Sequence, residues 1–297
     1  MIVITAPTGN IGHQVLANVL AGDEPVRVIV RDPDRLPTSV RDRVEVIQGS
    51  HGDPRVAARA FAGADALFWL LPTDNQAASV QAAYVGFTRP GAEAIRDQGV
   101  KRVVDVSALG RHTGYAGQAG HVTASLAMDD LIASTGVAFR ALTAPSFMDN
   151  MLRQVHAIKD QGMIFGTVAA DRKLPTVATR DIAAGAARLL LDHTWTGQQE
   201  VPVLGPEDLS GAGMAAVISE VLGIPVRYQQ IPGQAFRDQL TGHGISAAMA
   251  QGMLDMMIAK ENGLDNGVSR GPGNAIDTPT TFRQWCADTL KPAVQAA

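Results

Sequence analysis

The chain has 297 residues, 46% of them hydrophobic and 18% charged, with a formal net charge of -4. The length allows one large domain or two smaller ones with a sizeable core, and the charge excludes a nucleic-acid binder that works through general electrostatics. One cysteine, Cys286, excludes an intrachain disulfide and fits a reducing cytoplasm.

The first stretch, MIVITAPTGNIG, joins an apolar strand, Ile2-Val3-Ile4, to a helical pattern that places Val15, Leu16, Val19 and Leu20 on one face. With no basic flank or long apolar run, this N-terminus argues against a signal peptide and a membrane anchor. The turn between strand and helix contains Thr8, Gly9, Asn10, Ile11 and Gly12. Free N–H groups at a helix start and the helix dipole favour an anion there. Gly9 would let the backbone approach a pyrophosphate, and Gly12 would let the helix pack close to the strand.

The second strand, Val26–Val30, ends at Arg31, about 20 residues past the glycine turn, where a dinucleotide-binding unit selects its ligand. An acid there would favour NAD. The guanidinium of Arg31, with Arg35 nearby, suits the 2′-phosphate of NADP(H) instead. Asp32 could pair with Arg31 and weaken that field. Further strands are expected at 44–47, 66–71, 102–106 and 137–142, with helices at about 54–62, 76–98 (interrupted at Pro90-Gly91) and 122–134. Pro72-Thr73 and Ser107 close two of the strands, where ligand crevices form. After Pro145 the alternation loosens. Residues 148–161 read as a loop leading into a helix. Asp181 reads as a cap or early-turn acid of the next helix. Short strands follow at 200–204 and 226–230, with a helix at 208–222 between them. A Met-rich amphipathic helix covers 245–260, and a closing helix 279–290.

Alternating strands and helices predict an α/β fold with a doubly wound, mostly parallel sheet. The expected division is a Rossmann domain over 1–145 and a smaller α+β substrate-binding portion over 146–297, of which about 176–204 packs back on the first.

The TGNIG turn, Val-Arg-Asp-Pro after the second strand and Gly-Val-Lys-Arg-Val-Val before Ser107 form a pattern in order along the chain. Phe147-Met148-Asp149-Asn150, Thr179-Arg180-Asp181-Ile182-Ala183 and Val203-Leu204-Gly205-Pro206 continue it. The whole resembles the NmrA-like atypical short-chain dehydrogenases/reductases. The resemblance implies an NADP(H)-binding N-terminal portion and a cleft covered by the C-terminal portion. It implies either an NAD(P)H-dependent quinone, azo or carbonyl reductase, or a dinucleotide-sensing regulator acting through a protein partner. The chain departs from the family pattern at Ala6, where glycine is usual, at Ser50, where an acid is common, at Ser107-Ala108 in place of paired serines, and at Leu142-Thr143-Ala144.

The wider superfamily reduces carbonyls with a Tyr-x-x-x-Lys pair. Tyr84, Tyr115 and Tyr228 all lack a lysine four residues later, and in the family register the pair falls at His121 and Ser125. Reducing an isolated ketone makes an alkoxide that needs a proton donor. Reducing a quinone makes a phenolate-like anion with a pKa of roughly 10. The missing pair therefore points to quinone-like or conjugated carbonyl acceptors. His121 is a candidate proton donor near neutral pH, or else the cap of its helix, and Ser107 a candidate to orient it or the substrate. Phe147, Met148 and Met253 are expected in the substrate wall. No metal motif is present (no His-Glu-x-x-His run, a lone cysteine). The partners expected are a small-molecule substrate, with a homodimer left open, and neither nucleic acid nor membrane. An isomerase or cyclase on the same scaffold is a further alternative.

Overall fold

The computed structural model describes residues 1–72, 74–268, 270 and 278–297. Its centre is a seven-stranded sheet in the order β10-β6-β5-β4-β1-β2-β3. The strands are β1 (Ile2–Thr5), β2 (Val26–Val30), β3 (Glu45–Gln48), β4 (Ala66–Trp69), β5 (Arg102–Ala108), β6 (Ala138–Ala144) and β10 (Gln198–Pro202). Every pairing in it is parallel. Parallel strands need crossovers, and helices supply them: α1 (Asn10–Val19), the short α2 (Thr38–Arg41), α3 (Pro54–Phe61), α4 (Phe87–Asp97) and α5 (His121–Ala133). Both faces of the sheet are covered, which is why β1 and β4 are buried along their whole length.

Alternation within each strand separates two cores. Ile2, Ile4, Val28, Phe68 and Val104 face α1 and the later helix α7 (Thr179–Leu191), whose Ile182, Ala183, Ala186 and Leu190 join the same cluster. Val3, Ile29, Leu67, Trp69 and Val103 face the other way, against Ile95 of α4 and Met128 and Ile132 of α5. The chain order reverses between β1 and β4, and there Thr5, fully buried, accepts from the Leu70 N–H (2.8 Å) and donates to the Phe68 carbonyl (3.0 Å).

The remaining elements gather beyond the ends of the sheet. They are β7 (Ser146–Phe147), α6 (Val155–Gln161), β8 (Met163–Gly166), β9 (Leu174–Val177), β11 (Asp208–Leu209), α8 (Gly211–Leu222), β12 (Arg227–Gln230), α9 (Gly233–Gly242), α10 (Ala247–Glu261), α11 (Phe282–Trp285) and α12 (Lys291–Ala296). Strands β11, β9 and β7 form one small sheet, and β12 pairs β8 in another. A third core of Met148, Ile158, Ile164, Ile218, Phe282 and Trp285 lies among them. Among the described residues no helix is long and apolar enough to cross a membrane.

Two local expectations are corrected, and a third is narrowed to one of its alternatives. The helix before β5 is not broken at Pro90-Gly91: Pro90 lies inside α4, and a π-helical turn, Ala82–Gly86, precedes it. Proline lacks an N–H and crowds the carbonyl four residues back, which is Gly86 here, and the widened turn accommodates both effects. The start of α7 is capped by Asp149, which accepts from the Thr179 N–H (3.1 Å) and hydroxyl (2.8 Å). Asp181 is the acid of the first turn, one of its two expected places, and it also holds Thr280 by its N–H (3.0 Å) and hydroxyl (2.8 Å), pinning the C-terminal segment. Finally, Asp32 does not pair with Arg31. Its carboxylate accepts from the Asp34 N–H at a 3₁₀ turn, Pro33–Arg35, a local bond made at no cost in long side-chain ordering.

Candidate functional site

The turn after β1 is built around Ala6, which has φ +48° and is the one non-glycine residue with positive φ among the described residues. The turn brings the Gly9 N–H to the Ala6 carbonyl at 3.0 Å. A Cβ at Gly12 would run into that same carbonyl oxygen, and one at Gly9 would press on it at 3.3 Å. Glycine is thus demanded at position 12 by how close α1 starts to β1, while position 9 is a tight fit. Gly9 is the N-cap of α1 and no acidic residue stands in its first turn. The N–H groups of Asn10, Ile11 and Gly12 have no intrahelical acceptor, as at any helix start. Thr8 and Gly9 are half-buried and Asn10 is exposed, its amide donating to Asp149 at 3.3 Å.

Arg31 lies at the C-terminal end of β2, adjacent to β1, and is exposed, as is Arg35. Neither has an ion-pair partner among the described residues, whereas Arg41 is paired with Asp34 at 2.9 Å. The turn thus combines a close backbone approach and free amide N–H groups with an unpaired guanidinium at the end of the neighbouring strand.

Beside the turn opens a cavity of about 760 Å³. Leu70, Leu71, Val106, Ser107 and Ala108 reach it from the ends of β4 and β5, and Ile11 from α1. His121, Ser125 and Met128 come from α5, Phe147 and Asn150 from the segment after β6, and Met253, Met256 and Lys260 from α10. It sits outside the C-terminal ends of the strands, next to the point where the strand order reverses, as ligand crevices of doubly wound sheets do. Helix α10 is held over it because Ser246 bonds the carbonyls of Asn75 (2.9 Å) and Ala77 (2.8 Å).

Ser107, His121, Ile11, Phe147 and Met253 therefore converge on one space. Pro72 is half-buried but does not line the cavity, and Thr73 lies outside the described residues. Met148 is a correction: it is 2% exposed in the third core, because successive residues of an extended segment point oppositely, so Phe147 faces the cavity and Met148 packs inward.

His121 needs a second correction. It does not cap α5, whose N-cap is Gly120. Its Nε2 lies 3.0 Å from the Met249 carbonyl, which can only accept, so Nε2 carries the proton. Nδ1 then accepts from the Tyr84 hydroxyl at 3.3 Å. Burial pushes the imidazole pKa down and the Tyr84 phenol up to about 12. Both ring nitrogens are engaged and burial favours the neutral ring, so His121 ties α5 to α10.

Several residues that line the cavity or lie behind it left no mark in the sequence. Lys260, 4% exposed, bonds buried Asp265 at 2.6 Å. Tyr84 arrives through the π-helical turn. His51 bonds the Leu70 carbonyl (3.1 Å) and sits edge-on to Trp69 and Phe87, each ring centroid at 4.9 Å, and its burial lowers its pKa to about 4. Asp129 accepts from the Ser107 hydroxyl at 2.5 Å. None belongs to a spaced motif; only the folded chain brings them together. Among the described residues no group of three or more His, Cys, Asp or Glu is placed to hold a metal ion.

Residues 1–285 match the family described as the NmrA-like family. The chain is 28% identical over 256 residues to an NAD(P)H azoreductase of Xenophilus azovorans, covering 86% of each. It is 28% identical to the (4-alkanoyl-5-oxo-2,5-dihydrofuran-3-yl)methyl phosphate reductase of Streptomyces griseus, covering 97% of each. The NADPH-dependent quinone oxidoreductase of Escherichia coli, solved with NADPH, superposes with a TM-score of 0.79 at 22% identity, covering 100% of this chain and 99% of that one.

Proposed function

This chain belongs to the NmrA-like family, and from that premise we propose that it is an NADPH-dependent reductase of quinone-like or conjugated carbonyl compounds. The observation that carries the proposal is the pairing of a dinucleotide-type turn with a largely apolar cavity that lacks a Tyr-x-x-x-Lys motif: of its tyrosine and lysine, Tyr84 bonds His121 and Lys260 bonds Asp265. The relatives' names support the same direction, since they describe NAD(P)H-dependent reduction of an azo compound and reduction of an oxo-dihydrofuran.

Residues 8–12 would hold the pyrophosphate on the free N–H groups of α1, and Arg31 with Arg35 the 2′-phosphate. Bound NADPH would supply the hydride. The chain's own contribution is to position a flat acceptor between Phe147 on one wall and Met253 on another, and to exclude water behind α10. Met253 and Met256 have adaptable side chains suited to such a ligand. In the two places where the superfamily has its acid pair stand His121, neutral and engaged, and Ser125. Neither is a strong proton donor, which favours acceptors whose reduced anion is a weak base.

The test is the rate of NADPH oxidation with a panel of simple quinones, azo compounds, enones and isolated ketones. The proposal expects turnover with the conjugated acceptors and none with the isolated ketones. Binding of NADPH with no turnover across the panel would overturn it in favour of a dinucleotide sensor acting through a partner.

A further inference from the structure

Beneath the cavity floor, β5 and α5 place three polar side chains in a row. Residues 103, 105 and 107 alternate onto the face of β5 that meets α5. Val103 packs there in the second core, while Asp105 and Ser107 find Asp129 of α5. Asp105 is 0% and Asp129 2% exposed. Neither oxygen of Asp105, nor Oδ1 of Asp129, meets a donor in the structure. The group Asp105 faces is the other carboxyl, and two carboxyl groups hydrogen-bond only when one of them carries a proton. Two adjacent buried carboxylates cannot both stay ionised.

The surrounding charges do not neutralise the pair. Arg111, from the loop after β5, is the cation that reaches it, at 3.4 Å from Asp129. Arg111 also binds Asp130 of α5 at 2.7 Å and Glu200 of β10, and His112 lies 3.3 Å from Glu200. One guanidinium is thus divided among three carboxylates and makes no contact with Asp105.

We propose that Asp105 and Asp129 share one proton and deliver it through the Ser107 hydroxyl to the reduced acceptor in the cavity. The proposal rests on the reductase reading above. Ser107 is the catalytic residue; the two aspartates act through it. The balance is simple. The acceptor gains a hydride from NADPH and becomes an anion; with the shared proton on Asp129 Oδ2 the bond to Ser107 reverses, the Ser107 O–H bond breaks as its proton passes to that anion, and the serine oxygen takes the proton of Asp129. Asp105 and Asp129 are then both ionised, an unfavourable state relieved when the pair regains one proton from water.

The primary test needs no cofactor: pH-difference infrared spectroscopy of the unliganded protein, reading the C=O stretch of a protonated carboxyl group. The expected result is a band that persists to well above the pH at which ordinary aspartates ionise, and that shifts or disappears in both Asp105→Asn and Asp129→Asn. Ser107→Ala should keep the band, while slowing enone reduction on the order of 100-fold and flattening its dependence on pH. If the wild-type protein shows no such band, the shared proton does not exist and the proposal falls, even where NADPH turnover persists. A Ser107→Ala enzyme with an unchanged rate and pH profile would also overturn it. A normal band in a protein that binds no NADPH would instead defeat the reductase reading.

Discussion

Ala6 stands where the turn needs a residue with positive φ, and an L side chain there costs about 1–2 kcal/mol. Ala6→Gly should relieve that strain and stabilise the protein by roughly 1 kcal/mol, visible as a rise in the melting temperature with the dinucleotide affinity kept. A fall in melting temperature would mean that the turn is not strained. At Arg31 the expectation concerns selectivity. Arg31→Glu should weaken NADPH at least tenfold and NADH little, measured by comparative titration, because NADH lacks the 2′-phosphate. Equal effects on both would place the specificity residue elsewhere. Gly9, Gly12 and Arg31 were legible in the sequence because a strand–turn–helix unit gives them fixed offsets. Ser107 was legible for the same reason, as the end of a strand. Its partner Asp129 was not, since a helix position 22 residues later signals nothing until the helix docks.

Most helices and strands of the sheet were readable from hydrophobic periodicity, with boundaries that moved by one or two residues; the exceptions are the short α2, which left no signal, and the helix before β5, expected from 76 and formed from Ala82. What periodicity could not express was compensation between neighbours. Pro90 reads as a break, yet the π-helical turn at Ala82–Gly86 lets the helix run on and turns Tyr84 toward the cavity. Strands of the small sheets, such as β9 and β11, are too short to show alternation. The docking of α10 on α5 was likewise hidden. It rests on Gly120, at φ +51°, whose missing Cβ leaves room for the Gly252 carbonyl. Gly120→Ala should therefore displace α10, costing about 2–4 kcal/mol from backbone conformation and overpacking together. It should lower the melting temperature by several degrees and raise KM for the acceptor, because Met253, Met256 and Lys260 move with the helix. An unchanged KM would show that α10 is not part of the substrate wall.

For the molecule as a whole, a buried carboxyl pair and a buried histidine give stability opposite dependences on pH. Burial and the neighbouring carboxyl raise Asp105, and burial raises Asp129 to about 6. Between the ordinary aspartate range and pH 6 the folded state therefore holds protons that the unfolded chain releases. This contribution is complete below about pH 4 and is lost as pH rises through 6. His51, lowered to about 4, acts the other way: its contribution is complete above about pH 6.5 and is lost as pH falls toward 4. Asp129→Asn removes the Asp129 part of the first effect and leaves the His51 effect. It should raise the melting temperature over wild type by several degrees at pH 8, on the order of 2–3 kcal/mol, with little difference at pH 4. A gap that did not grow with pH would contradict the buried pair.

The most direct measurement is a calorimetric titration of the purified protein with NADPH, followed in the same sample by NADPH absorbance after a simple quinone is added. The account predicts saturable binding, tighter than for NADH, and then a decay of absorbance that requires the quinone. No binding of NADPH would mean that the turn at Ala6 does not accept a pyrophosphate, and would contradict the account at its centre.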